Sequence, residues 1–351
     1  MLSHSQLQAL MIIRDRVGSP LFSLPKDILP NYIRAMGDAA YSSDPNSDIA
    51  KLQEFIAYGN KDEVINMLGV NPELVFLAGM ATDPAGNLIQ RFTPYELALG
   101  AGDAEIAEII ADYLLQSDRG QKEKERIDNL YRPIIENMLE PKPSDYNFEY
   151  LLDTIKLSSD ADITAELDHV AEHDSPLRDA LQAFRIHFMP CTITEPRMHF
   201  NYQDLIHAFE VYKDAFKLKN GEYNDKDNDD KCDLFWREVI GYIQRGLPAV
   251  DRQVFAQNLF EVAENKKPNK RSFKFTYGGD DFPITSCDDP HSGLGFDFAA
   301  LCGELVRSGS AIIFLFGGAR HFAHLKSYVQ QKQQTLSNLC SKSCAYLKMR
   351  L

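Results

Sequence analysis

Four side chains able to bind a soft metal lie close together in the sequence: His187, Cys191, His199 and His207. Imidazole and thiolate are the usual ligands of zinc, but these spacings match no standard zinc motif, so no metal is assigned. Cys287, followed by Asp288, Asp289 and His291, offers a thiol with an imidazole nearby, and His321 or His324 could reach it in the fold. A thiolate nucleophile needs a base within hydrogen-bond reach and donors for an oxyanion. No cysteine-hydrolase signature surrounds Cys287, so Cys287 and His291 stand as candidates without a catalytic set. Asn224 to Asp230 begins like a calcium loop, with oxygen-bearing side chains at alternate positions. Asp230 stands where that loop needs glycine and Trp236 where it needs a bidentate glutamate, which rejects an EF-hand. The basic run Lys266 to Arg271 suits either an anionic contact or plain solvation, and Gly317-Gly318 lacks the Gly-Lys-Ser/Thr of a phosphate loop. No cofactor is implied.

Charge and composition narrow the partners. The chain has 351 residues, 44% of them hydrophobic, which is enough for two domains with a sizeable core. A formal net charge of -14 disfavours nucleic acid, whose phosphates are neutralised by excess Lys and Arg. All six cysteines lie in the second half without a CxxC pair, which fits reduced thiols. Met1 to Leu10 carries no Sec-type signal, and the longest apolar run, Ala311 to Phe316, is far short of the roughly 20 residues of a membrane helix.

The elements that must position these residues are mostly helices. Apolar spacing predicts helices over Gln6 to Val17, Asp48 to Tyr58, Asp62 to Leu68, Ile106 to Leu115 and Ile127 to Met138. Leu74 to Met80 and Leu88 to Phe92 flank the turn-rich Asp83-Pro84-Ala85-Gly86-Asn87 and predict a hairpin. Ser117 to Arg126 is strongly charged. Glu140-Pro141-Lys142-Pro143-Ser144-Asp145 reads as a linker, dividing the chain into 1–140 and 141–351. Beyond it, helices are expected over Tyr146 to Ile155, Ile163 to Ala171, Ser175 to Phe188 and His199 to Lys217. Then come a polar loop over Lys219 to Asp233 and helices over Leu234 to Arg245 and from Pro248. Ser272 to Tyr277 alternates like a strand that Phe282 to Ile284 could pair, Ala311 to Phe316 reads as a strand, and Phe296 to Arg307 and Arg320 to Leu339 as helices.

Thr93-Pro94-Tyr95-Glu96-Leu97-Ala98 resembles the helix-opening Thr-Pro-Leu-His-x-Ala of the ankyrin repeat. Gly59-Asn60-Lys61-Asp62 and Gly102-Asp103-Ala104-Glu105 sit at equivalent corners, 102 − 59 = 43 residues apart, about ten more than the roughly 33 of an ankyrin unit. The resemblance therefore implies degenerate ankyrin-like helix pairs with an enlarged hairpin, in a mainly α chain whose second half is helical with a small β element. In such stacks the hairpins form much of the binding edge. The partner-binding residues this suggests are Asp83, Asn87 and Arg91 on the hairpin and Tyr95 on an exposed repeat helix; a hairpin that merely caps the stack is the alternative.

A second likeness extends further. The long hairpin, the helix His199-Phe200-Asn201-Tyr202-Gln203-Asp204-Leu205-Ile206, the segment from Trp236 to Pro248, Arg271-Ser272-Phe273 and Leu294-Gly295-Phe296-Asp297-Phe298 look like ankyrin-bearing effectors of Legionella-type intracellular bacteria. That resemblance implies delivery by a type IV secretion system into the host cytosol and binding of a host protein. It implies no single activity, and Ser341 to Leu351 lacks the glutamate cluster of some secretion signals. An enzyme using Cys287 or the His187 to His207 set, with the repeats recruiting substrate, is the rival reading. A third reading rests on Leu24 to Ile33, which resembles the opening of an F-box but lacks its tryptophan-bearing helix.

Overall fold

The computed structural model describes residues 47–140, 146–168, 170, 174–216, 229–257, 259–264, 266, 268, 271, 274–277, 280–283 and 318–341. The elements expected over Gln6 to Val17, Leu24 to Ile33, Phe296 to Arg307 and Ala311 to Phe316 lie outside them.

The Ser47 hydroxyl accepts from the Ala50 N–H and opens α1 (Asp48–Ala57), whose Asp48 suits the positive end of the helix dipole. The helix buries Ile49, Leu52 and Ile56 and turns at Gly59 into α2 (Lys61–Val70). After a 3-10 turn, Pro72–Phe76, the chain makes a hairpin of β1 (Gly79–Thr82) and β2 (Leu88–Phe92). Thr93 then opens α3 (Pro94–Ala101) with a capping box: its hydroxyl accepts from the Glu96 N–H, and its own N–H donates to the Glu96 carboxylate at 2.9 Å. Asp103 caps α4 (Ala104–Leu114). The two pairs turn on matching corners, with Gly59 at φ +71° and Gly102 at φ +69°, a left-handed backbone that favours glycine. Arg271 spans both corners, donating to the Gly59 carbonyl at 3.0 Å, to the Asp103 carboxylate at 2.6 and 2.8 Å, and to Glu105 at 2.7 Å.

The strongly charged stretch from Ser117 is helical. α5 (Asp118–Glu136) runs straight through it, because Ser117 caps its start and charges pair one turn apart, Arg126 with Glu123 at 2.8 Å and Lys124 with Asp128 at 2.5 Å. Beyond residues 141–145 come α6 (Phe148–Leu157), α7 (Asp160–Leu167) and α8 (Pro176–His187), the last opened by Ser175 ahead of Pro176. They are followed by β3 (Thr192–Ile193) and α9 (Tyr202–Ala215). The expected polar loop does not extend to Asp233, since α10 (Asp229–Leu234) is helical there and runs into a π-helical segment, Phe235–Gly241, and α11 (Tyr242–Gln244). α12 (Ala249–Gln257), α13 (Leu259–Ala263), the hairpin of β4 (Lys274–Tyr277) with β5 (Asp280–Pro283), and α14 (Gly318–Ser341) complete the described chain.

The molecule is mainly helical with a small sheet of order β1-β2-β3. β1 and β2 are antiparallel, and β3 joins β2 in parallel at Leu88 with Thr192 and Ile89 with Ile193. One apolar cluster runs from Ile49 to Cys340. It joins elements from both sides of the linker: α14 packs on α4 and α5 as well as on α9 and α13. Among the described residues no helix is long and apolar enough to cross a membrane.

Candidate functional site

The hairpin tip is held from inside. The Asp83 carboxylate accepts the Ala85 N–H at 2.9 Å, the Asn87 N–H at 2.8 Å and the Asn87 side-chain amide at 3.0 Å. Such local bonding makes Asp and Asn turn residues. The Asn87 side-chain oxygen accepts the Cys191 N–H at 3.0 Å, and Arg252 of α12 donates to the Pro84 carbonyl at 3.0 Å, so the tip is tied to the second half of the chain. Asp83 and Asn87 are 5% and 8% exposed, and burial raises the Asp83 pKa against the lowering effect of its bonds from Asn87. The expectation that these two side chains meet a partner is corrected: their polar atoms are engaged in building the turn.

Arg91 is different. Gly79 pairs with Phe92 and Met80 with Gln90, so Arg91 is the extra residue of a β-bulge. It is exposed and has φ +67°. A left-handed backbone costs a residue with a side chain about 1–2 kcal/mol, and such strain collects at functional positions.

Tyr95 is also corrected. Every residue of α3 is buried, since the helix lies against α1, α4, α5 and β2, and Tyr95 is wholly inside. Its hydroxyl donates to Asp128 at 2.8 Å, and Lys124 donates to the same carboxylate. Burial raises the Asp128 pKa against the pull of Lys124, and burial beside Asp128 drives the Tyr95 hydroxyl far above its ordinary value. A second cluster repeats the chemistry. Asp251, fully buried on α12, accepts from the Tyr202 hydroxyl, from the Tyr328 hydroxyl at 2.6 Å and from Lys332 at 2.5 Å. Burial and Asp251 push both tyrosines well above the usual phenol range. In both clusters tyrosine is a fixed donor rather than a base, and the clusters hold elements together. Nothing in the local sequence pattern marked Lys124, Asp128, Asp251 or Lys332, because each lies on a helix face whose partner comes from a distant segment.

The four His and Cys residues go to separate partners. The exposed Cys191 thiol accepts from Arg197 at 3.0 Å; His187 lies on Tyr146, with ring centres 5.3 Å apart; His207 is 3.1 Å from Glu149 and edge-on to Phe148. His199 is buried, edge-on to Phe92, with its Nε2 making no hydrogen bond to the described residues. Burial, with Arg197 and Lys332 nearby, pushes its pKa down to about 3. Among the described residues no group of three His, Cys, Asp or Glu side chains is placed to hold a metal. Cys287 and His291 lie outside the described residues. No family model, curated protein or solved structure matches the chain.

Proposed function

We propose that the chain is a protein-recognition module: a bacterial effector, delivered into the host cytosol by type IV secretion, that binds a host protein through ankyrin-like helix pairs and the edge of their hairpin. The resemblance of the Thr93-Pro94 unit to ankyrin repeats supports this reading, as do the matching corners at Gly59 and Gly102 with a hairpin between the pairs. The observation that carries it is Arg91, an exposed arginine held at φ +67° in a β-bulge. Arginine at an exposed, geometrically fixed position is well suited to bidentate recognition of a carboxylate.

Arg91→Gly tests the hairpin edge. Glycine accepts the left-handed backbone without strain and removes only the side chain. In a pulldown from host-cell lysate with the full-length chain, read by quantitative mass spectrometry, the variant loses its specific partner by about tenfold or more, while its melting temperature stays within a few degrees of wild type. Equal capture by both chains overturns the assignment of the hairpin edge. Asp83→Ala or Asn87→Ala cannot serve here, because either dismantles the turn.

A further inference from the structure

Successive residues of a strand alternate between its faces, so in an unbroken β2 Arg91 would share the face of Ile89, which is buried. The extra residue of the bulge breaks the alternation: Ile89 and Phe92 are inside, and Arg91 is exposed. The contacts that fix this break lie beneath it. Gln53 of α1 is wholly buried, and its side-chain amide donates to the Phe92 carbonyl. The N–H of the same peptide unit, on Thr93, donates to the Glu96 carboxylate at 2.9 Å, and Arg126 of α5 donates to that carboxylate at 3.1 Å. Gly79, the strand partner of Phe92, leaves room for Gln53: a Cβ there would stand 3.1 Å from the Gln53 Cδ.

One peptide is thus gripped at both ends, its carbonyl from α1 and its N–H from α3. On the other side of Arg91, the pairing of Gln90 with Met80 sets the strand. Arg91 has to close the gap between two fixed neighbours, and its φ of +67° is the backbone that does so. A carbonyl left without a donor inside the protein is costly, so the bond from Gln53 opposes the strain that would draw Arg91 back to a negative φ.

We propose that Gln53 is a positioning residue for recognition: from inside the fold it pins the Phe92 peptide, with Glu96 on the other end, and so holds the Arg91 guanidinium on the outer face before a partner's carboxylate arrives. A contact fixed in advance loses less conformational freedom on binding. The role in recognition rests on the reading above, whereas the grip on the Arg91 backbone is read without any partner, so either can fail alone.

The test is nuclear magnetic resonance of the full-length chain labelled with ¹⁵N-arginine, in which the Arg91 amide is the signal that Arg91→Gly removes. A positive φ brings the amide and α protons of Arg91 close together, so wild type shows a strong cross-peak between them. Gln53→Met keeps the volume of the side chain and deletes the donor; the left-handed population, and with it the cross-peak, falls about fivefold. A residue that only fills the core would lower stability and leave the cross-peak as it was, and that result overturns the proposal. Urea denaturation gives a second reading. In the Arg91→Gly chain no strain is relieved when the grip is lost, so Gln53→Met shifts the unfolding equilibrium about fivefold more there than in wild type; equal shifts overturn the coupling. If Gln53→Met fails to fold by circular dichroism, Gly79→Ala decides, because its Cβ crowds the Gln53 amide: a weakened cross-peak supports the grip, and an unchanged one overturns it. In the lysate pulldown, the protein that Arg91→Gly loses is also lost about fivefold by Gln53→Met. Full capture of that protein by a chain whose cross-peak has gone overturns the role in recognition, and an Arg91→Gly chain that loses no protein overturns the recognition reading while the cross-peak still decides the grip.

Discussion

Tyr95 donates to a carboxylate that Lys124 also serves, all inside the protein. Removing the hydroxyl in Tyr95→Phe leaves ring packing intact and deletes one hydrogen bond to a charged group, so stability falls by about 1.5–3 kcal/mol. Urea denaturation measures this, and the side chain, being inside the protein, presents nothing to a partner. His199 gives a pH signature. Its ordinary pKa of 6.5 drops to about 3 in the fold, so between those values the unfolded chain binds one more proton than the folded one. The contribution of the neutral imidazole is therefore full above pH 6.5 and is lost as pH falls toward 3, at up to about 1.4 kcal/mol per pH unit. Buried Asp83 and Asp128, with raised pKa values, act in the opposite sense. The diagnostic quantity is thus the difference between wild type and His199→Leu: urea midpoints at pH 7 and pH 4.5 fall farther in wild type, and parallel falls would exclude His199 as the cause.

At the scale of elements, the two helix pairs are locked corner to corner by Arg271, which reaches Gly59 and Asp103 at once. Asp103 is buried and also caps α4, so Arg271→Ala strands a carboxylate as well as removing a staple. A loss of about 2–4 kcal/mol follows, visible in urea denaturation, whereas Arg271→Lys recovers only part because a single ammonium cannot span both corners. Gly102→Ala acts at the same place through two effects, a left-handed backbone and a Cβ driven into Lys332. Its predicted cost of about 1–3 kcal/mol should appear in thermal melts, together with faster exchange in α14.

At the scale of the molecule, one apolar cluster joins residues on both sides of the linker, and β3, Arg252 and α14 bind the second half to the first. Trp236, the single tryptophan, is buried in the second half between Phe209 and Tyr212. Its fluorescence and the far-ultraviolet dichroism, which the helices of both halves supply, are therefore expected to change together in urea. Separate transitions would show that each half folds alone, and the linker would then mark two cooperative units.

The sequence by itself determined the local features: helices where apolar residues recur at helical spacing, the Thr93-Pro94 start of α3, the Ser175-Pro176 start of α8, and left-handed corners at Gly59 and Gly102. Each depends on residues within a few positions of one another, where capping and backbone preference act. Only the tertiary structure decided which side chains are inside. Asp83, Asn87 and Tyr95 have surface-compatible types but are covered by β3, α12 and α5, segments 33 to 168 residues away. The same holds for Lys332, whose charge suggests solvent until Asp251 is brought to it across 81 residues. Burial of a polar group is settled by the partner that meets it, and that partner is chosen by how the helices pack.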